Sequence, residues 1–149
     1  MQKQPVIHVV CLIGPPGSGK DTVVENGIVR MDYFPFGFST ALDYACEGNS
    51  HVEEQVIRAK SEGRLVSHHV VELAFNQYLR DVVPEDKDIV FNGFPRNADQ
   101  VDVLFETFAG RSYRLSFIYL DVSSDVCLSR ISGRNKSLPV GERRVDDKR

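Results

Sequence analysis

Residues 6–22 read VIHVVCLIGPPGSGKDT, and the junction inside that stretch decides the fold. VIHVVCLI (6–13) is short and rich in β-branched residues, the pattern of a parallel strand buried on both faces. GPPGSGKDT (14–22) follows at once, with the spacing of a phosphate-binding loop. Gly14, Gly17 and Gly19 permit backbone conformations and close approaches that a Cβ would block. Pro15, Pro16 and Ser18 complete the loop, whose successive N–H groups and following helix start can cradle phosphate oxygens. Lys20 adds a mobile point charge toward the outer phosphates. Asp21 stands where the strict pattern wants a hydroxyl, and Thr22 supplies one a residue later. A glycine-rich turn that merely joins strand to helix is the bland alternative, and the order strand, loop, lysine, helix argues against it.

Composition bounds the class. With 149 residues, 42% hydrophobic and 26% charged, the chain reads as one ordinary globular domain, 1–149. A chain of this size buries roughly 70% of its unfolded surface. No apolar stretch approaches the ~18 residues of a membrane span. The start lacks a signal-peptide cleavage pattern, and Cys11, Cys46 and Cys127 are scattered and odd in number. Zinc and a disulfide framework are disfavoured, and a reducing cytoplasm is expected. The net charge of −3 disfavours general nucleic-acid binding, yet Arg130 to Arg149 holds seven Lys/Arg against three Asp/Glu. That basic end suits either a solvated face or a small polyanion.

Strand-like and helix-like stretches then alternate, without repeats. Val24, Ile28 and Met31 recur at helical spacing, weakened by Gly27. FPFGF (34–38) predicts a turn leading to one short strand. A helix over 52–62 closes at Gly63, and one from Ser67 to Arg80 carries Val70, Val71, Ala74, Phe75 and Tyr78 on one face. DIVFN (88–92) and YRLSFIYLDV (113–122) are strands separated by a helix marked by Val101, Leu104, Phe105 and Phe108. Ser123 or Ser124 caps a last helix through Ile131, and SGRNKSLPVGERR reads as loop. This alternation predicts a three-layer α/β fold with a parallel sheet, its ligand beyond the carboxyl ends of the strands.

GPPGSGKDT, FST, GRLV, NGFPRNADQ, RISGR and RRVDD occur in the order seen in adenylate kinases and related nucleoside monophosphate kinases, which the chain resembles from residue 7 to its end. The combination is specific, whereas each piece alone is weak. In that family the loop usually reads G-K-G-T, so Asp21 replaces a Gly and Thr22 takes the Thr position. The resemblance implies transfer of the ATP γ-phosphoryl group to AMP, with Mg²⁺ held through the ATP phosphates and water rather than by protein ligands. Lys20, Arg96, Arg130, Arg134 and Arg144 match the family's phosphate-binding cations, Arg130 and Arg134 also on the ATP side. Planar guanidinium groups suit that work because they grip phosphate oxygens in a fork. Thr40, Val66, Gly93, Arg96 and Gln100 match the AMP site, and a Gln amide can pair twice with adenine. A UMP/CMP kinase is the alternative acceptor reading, and an ATP-binding homologue with little or no kinase activity the alternative class. Residues 39–80 correspond to an inserted monophosphate-binding region, and 133–145 to a short, zinc-free lid.

Departures accompany the matches. The family's S-T-G-D-x-x-R is STALDYA here, placing Ala45 at the acceptor-phosphate arginine, and the family Asp before GFPR is Asn92. Asp21 either repels phosphate or helps hold hydrated Mg²⁺. The chain stops where the family continues into a closing helix and a last strand. A longer form is expected to be monomeric, and the 149-residue chain to self-associate. His69 and Glu72, three apart, read as a solvated helix face rather than a metal pair, and Cys11 and Cys127 as core.

Overall fold

The computed structural model describes residues 6–138 and carries a four-stranded, all-parallel sheet in the order β2-β3-β1-β4. β1 (Ile7–Ile13) and β3 (Ile89–Asn92) are the inner strands; β2 (Phe34–Gly37) and β4 (Tyr113–Tyr119) are the edges. Register runs Val9↔Ile89 to Leu12↔Asn92 on one side of β1 and Ile7↔Tyr113 to Ile13↔Tyr119 on the other. The strand-like stretches 6–13 and 113–122 are therefore adjacent although roughly a hundred residues apart in sequence. This is the parallel α/β sheet that the alternation of strands and helices predicts.

The period of two along each strand sorts the core into two faces. Ile7, Val9, Cys11, Phe36, Ile89 and Phe91 point to one side, where they meet Val71, Phe75, Tyr78 and Leu79 of α4 (His68–Asp81) and Val103, Leu104 and Phe108 of α5 (Ala98–Phe108). Leu12 and Val90 point to the other side and pack on Val24. Aromatic rings dominate the larger face. Phe75 stacks on Phe91 and Phe94 with centroids 5.1 and 4.8 Å apart, and Phe36 meets Phe91 edge-on at 4.9 Å. Each such ring contributes about 1.5–3 kcal/mol by burial.

Three helices lie between β2 and β3: α2 (Phe38–Cys46), α3 (Ser50–Ser61) and α4. They share a smaller core of Leu42, Ala45, Val52, Val56, Val70 and Ala74. Asn49 starts α3 by accepting from the Val52 N–H at 3.2 Å. Gly63 ends it at φ +63°, with the Arg64 N–H returning to the Ala59 carbonyl at 2.9 Å. Ser67 caps α4 as expected.

Four local expectations are corrected. The segment after the loop is not one regular helix: α1 (Lys20–Val23) passes into a π turn (Val24–Ile28) and a 3₁₀ turn (Val29–Met31). Gly27 falls inside the π turn, and Met31 is 70% exposed rather than on the buried face. FPFG is itself the strand β2, tolerable for Pro35 because an edge strand has ladder positions that need no N–H donor. On α5 the buried face is Gln100, Val103, Leu104 and Phe108, while Phe105 turns outward. Finally α6 (Ser124–Ser137) runs past Ile131 to Ser137. Nothing in SGRNKS forbids helix, and Leu138 turns extended (φ −106°, ψ 141°) as a residue before proline should.

Candidate functional site

The loop from Gly14 to Gly19 leaves the carboxyl end of β1 and turns into α1, flanked by β3 and β4. Its conformation is held from both ends. The Ser18 N–H donates to the Pro15 carbonyl at 3.1 Å, and the Val23 N–H to the Gly19 carbonyl at 3.0 Å. Lys20 arches back over the loop: Nζ donates to the Gly14 and Pro15 carbonyls at 2.6 and 2.9 Å and to Ser18 Oγ at 3.4 Å. An ammonium with rotatable donors can exchange such carbonyls for phosphate oxygens without moving its Cα.

Helix α6 forms the back wall. Gly17 has φ +79°, and a Cβ there would stand 2.6 Å from the Cys127 carbonyl oxygen. Arg130, one turn along, donates from a terminal nitrogen to the Gly17 and Ser18 carbonyls at 3.3 and 3.2 Å. The arginine thus sits on the loop itself. Arg134 lies a further turn along α6, half-buried.

The second half of the site comes from the end of β3. Gly93 adopts φ +69° while its N–H donates to the Leu12 carbonyl at 2.8 Å, tying NGFPR to the strand that feeds the loop. A Cβ at Gly93 would lie 3.5 Å from Lys20 Cε and 3.7 Å from a terminal nitrogen of Arg96. Two cations therefore converge on a backbone point kept bare by glycine. Arg96 is anchored there, its Nε donating to the Gly93 carbonyl at 2.8 Å. Phe94 stacks on Phe38 of α2 (centroids 5.4 Å apart, rings 22° from parallel), joining this corner to the helical region.

Gln100, 4% exposed, accepts the Arg96 N–H at 2.7 Å through Oε1, while its own N–H donates to the Asn97 side chain at 2.9 Å. Asn97 caps α5 and so sets where Gln100 and Arg96 stand, a role the S/T/N-cap signal could have revealed. One lone pair of the Gln100 amide oxygen already serves the Arg96 N–H. Thr40 is exposed on the first turn of α2, and half-buried Val66 packs on both the sheet-facing core and the α2–α3–α4 core.

Asp21 and Asn92, read from the sequence as separate anomalies, meet: Asn92 Nδ2 donates to Asp21 Oδ1 at 2.6 Å across 71 residues. Ala45 is 1% exposed within the α2–α3–α4 core, so its position sends no charge toward the loop. A broad groove of about 430 Å³ between α2 and α3 bears Asp43, Glu47 and Glu53 against Lys60, a sign of charge that repels phosphate. Burial pushes the Cys11 thiol to about 12, in keeping with a core residue. His69 is exposed on α4. Arg144 and residues 139–145 of the expected lid lie outside the described residues.

Among curated proteins, the adenylate kinase of Pelagibacter ubique is 30% identical over 128 residues, covering 84% of this chain and 59% of its own length. That of Mesoplasma florum is 29% identical over 126 residues (84% and 58%), and that of Novosphingobium aromaticivorans 29% over 134 residues (89% and 62%). The chain thus spans 58–62% of the length of these relatives. No protein-family model matches it. Among the described residues no helix is long and apolar enough to cross a membrane. The loop at the end of β1, the parallel strand order and the span of these matches point the same way: over most of its length the chain is similar to adenylate kinases.

Proposed function

We propose that this chain carries the nucleotide site of a nucleoside monophosphate kinase, taking ATP as phosphoryl donor and AMP as acceptor. One observation carries the reading: Lys20 from the loop and Arg96 from β3's end converge on Gly93, with Arg130 seated on the loop carbonyls. Transfer brings two polyanions together and spreads charge over the equatorial oxygens of the moving group, so positioning and fixed positive charge are the main catalytic needs. The loop amides and Lys20 hold the donor phosphates, and Arg96 spans toward the acceptor. An acceptor oxygen attacks the γ-phosphorus while the bond to the β–γ bridging oxygen breaks, leaving two nucleoside diphosphates. Arg130 and Arg134 supply charge from the α6 side, and Arg144 is assigned the same work by family resemblance. Thr40, Val66, Gly93 and Gln100 are assigned to the acceptor nucleoside.

The donor set beside the loop, the Asp21 carboxylate and the Thr22 hydroxyl, fits a hard cation that arrives on phosphates and keeps its water. Bound there, Mg²⁺ would neutralise charge on the β- and γ-phosphate oxygens.

A second reading, an ATP-binding protein with little kinase activity, is favoured by Ala45, a buried apolar residue at the position the family gives to an acceptor-phosphate arginine. A coupled assay for ADP formation from ATP and AMP separates the two. In an active chain Lys20→Ala lowers turnover by ~10²–10³, and Gln100→Leu erodes the preference for AMP over CMP and UMP. ATP binding without ADP formation supports the second reading. A Lys20→Ala variant as fast as the parent removes the loop as the phosphate site.

A further inference from the structure

The contact between Asp21 and Asn92 joins the first residue after the loop lysine to the last residue of β3. These are the two backbone segments between which Lys20 and Arg96 converge. A carboxylate in such a place is costly if it faces only phosphates, because like charges repel most where cations have been gathered to hold anions. It becomes favourable when a hydrated divalent cation stands between, since metal-bound waters donate to carboxylates with strengthened hydrogen bonds. An amide suits the second position. Its N–H can aim a carboxylate without adding a second negative charge, whereas two carboxylates at 2.6 Å would repel.

We infer that Asp21, aimed by Asn92, is the positioning carboxylate for the water shell of a metal·nucleotide, so that this chain carries its metal-orienting charge on the loop side rather than at the strand end. The inference rests on the reading of the loop as an ATP site and deepens it. It distinguishes Asp21 from a residue that only repels phosphate and from one that only ties the loop to β3. A repelling carboxylate weakens ATP binding with or without metal; a tie supports both equally; a positioning carboxylate affects the two in opposite directions.

The test is calorimetric titration of the full 149-residue chain with ATP, once in EDTA and once with saturating MgCl₂, with no acceptor present. The quantity read is the ratio of the two dissociation constants. Asp21→Asn is expected to tighten metal-free ATP and weaken Mg·ATP, lowering the preference for the metal complex roughly 10-fold or more. The exchange Asp21→Asn with Asn92→Asp moves the charge by one hydrogen-bond length and restores the preference. An Asp21→Asn variant with the parent's ratio, or one that binds both forms tighter, overturns the inference. So does an exchange variant that stays as insensitive to Mg²⁺ as the single one. If Asp21→Asn fails to fold, Asp21→Ser is read by the same ratio, a lowered preference for Mg·ATP supporting the inference and an unchanged one overturning it. A parent that binds ATP in neither buffer overturns the kinase reading, and the inference with it.

Discussion

Replacing Gly17 by alanine tests whether the loop is built against α6 as the structure has it. Two costs add. At φ +79° an L-residue sits in the left-handed region, which costs about 1–2 kcal/mol. The new Cβ also stands 2.6 Å from the Cys127 carbonyl oxygen and 3.1 Å from both Cys127 Cα and Ile131 Cγ1. Two of these atoms belong to helix backbone and cannot rotate away, so the overlap costs a further ~1–3 kcal/mol. The sum is about 2–5 kcal/mol, a large share of the ~5–15 kcal/mol that holds a domain together. Gly48 provides the control, with φ +74° and nothing within 4 Å of an added Cβ. Gly48→Ala should show the conformational cost alone, about 1–2 kcal/mol. Urea unfolding of the two variants isolates the contact term as their difference. Because displacing α6 also moves Arg130 off the Gly17 and Ser18 carbonyls, Gly17→Ala should lose ATP affinity while Gly48→Ala keeps it. Equal destabilisation by the two substitutions would refute the packing of loop on helix.

Burial raises the Cys11 thiol from an ordinary 9.0 to about 12, so between those values the unfolded chain ionises a thiol that the folded chain keeps protonated. Stability is then fully present below pH ~9 and declines as pH rises toward 12, by up to about 4 kcal/mol from this group. Cys11→Ala should flatten the alkaline slope of the unfolding free energy, and an unchanged slope would contradict the assignment. On β4, Phe117, Ile118 and Tyr119 are 50%, 42% and 64% exposed along a strand with no neighbour on its outer side among the described residues. Such an edge is a template for pairing, so the 149-residue chain should associate with rising concentration in sedimentation, and Phe117→Lys should reduce it. A parent monomeric at every concentration would refute this.

The sequence by itself determined the parts whose cause is local. A β-branched run meeting glycines and a lysine specifies strand, loop and helix start in that order, because backbone freedom and side-chain bulk act over a few residues. The cap at Ser67 and the stop at Gly63 lie within a turn of the residues they serve, whereas the equally local caps at Asn49 and Asn97 went unread. Even there, the residues after Thr22 escaped a period-based reading, since a π turn shifts the buried face without changing composition. The extension of α6 to Ser137 escaped because arginine, lysine and serine suit a solvated helix as well as a loop.

Tertiary structure alone decided what depends on distance in space. That β4 is an edge while β1 is central is settled by strand order. Arg130 reaches the loop over 112 residues, Asn92 reaches Asp21 over 71, and Lys20 and Arg96 meet at Gly93. Each contact is a meeting of strand ends and helix starts on one rim of the sheet. Residue type shows that such a group can hold a charge or donate a hydrogen bond, but its partner is chosen by the chain crossovers that bring those ends together.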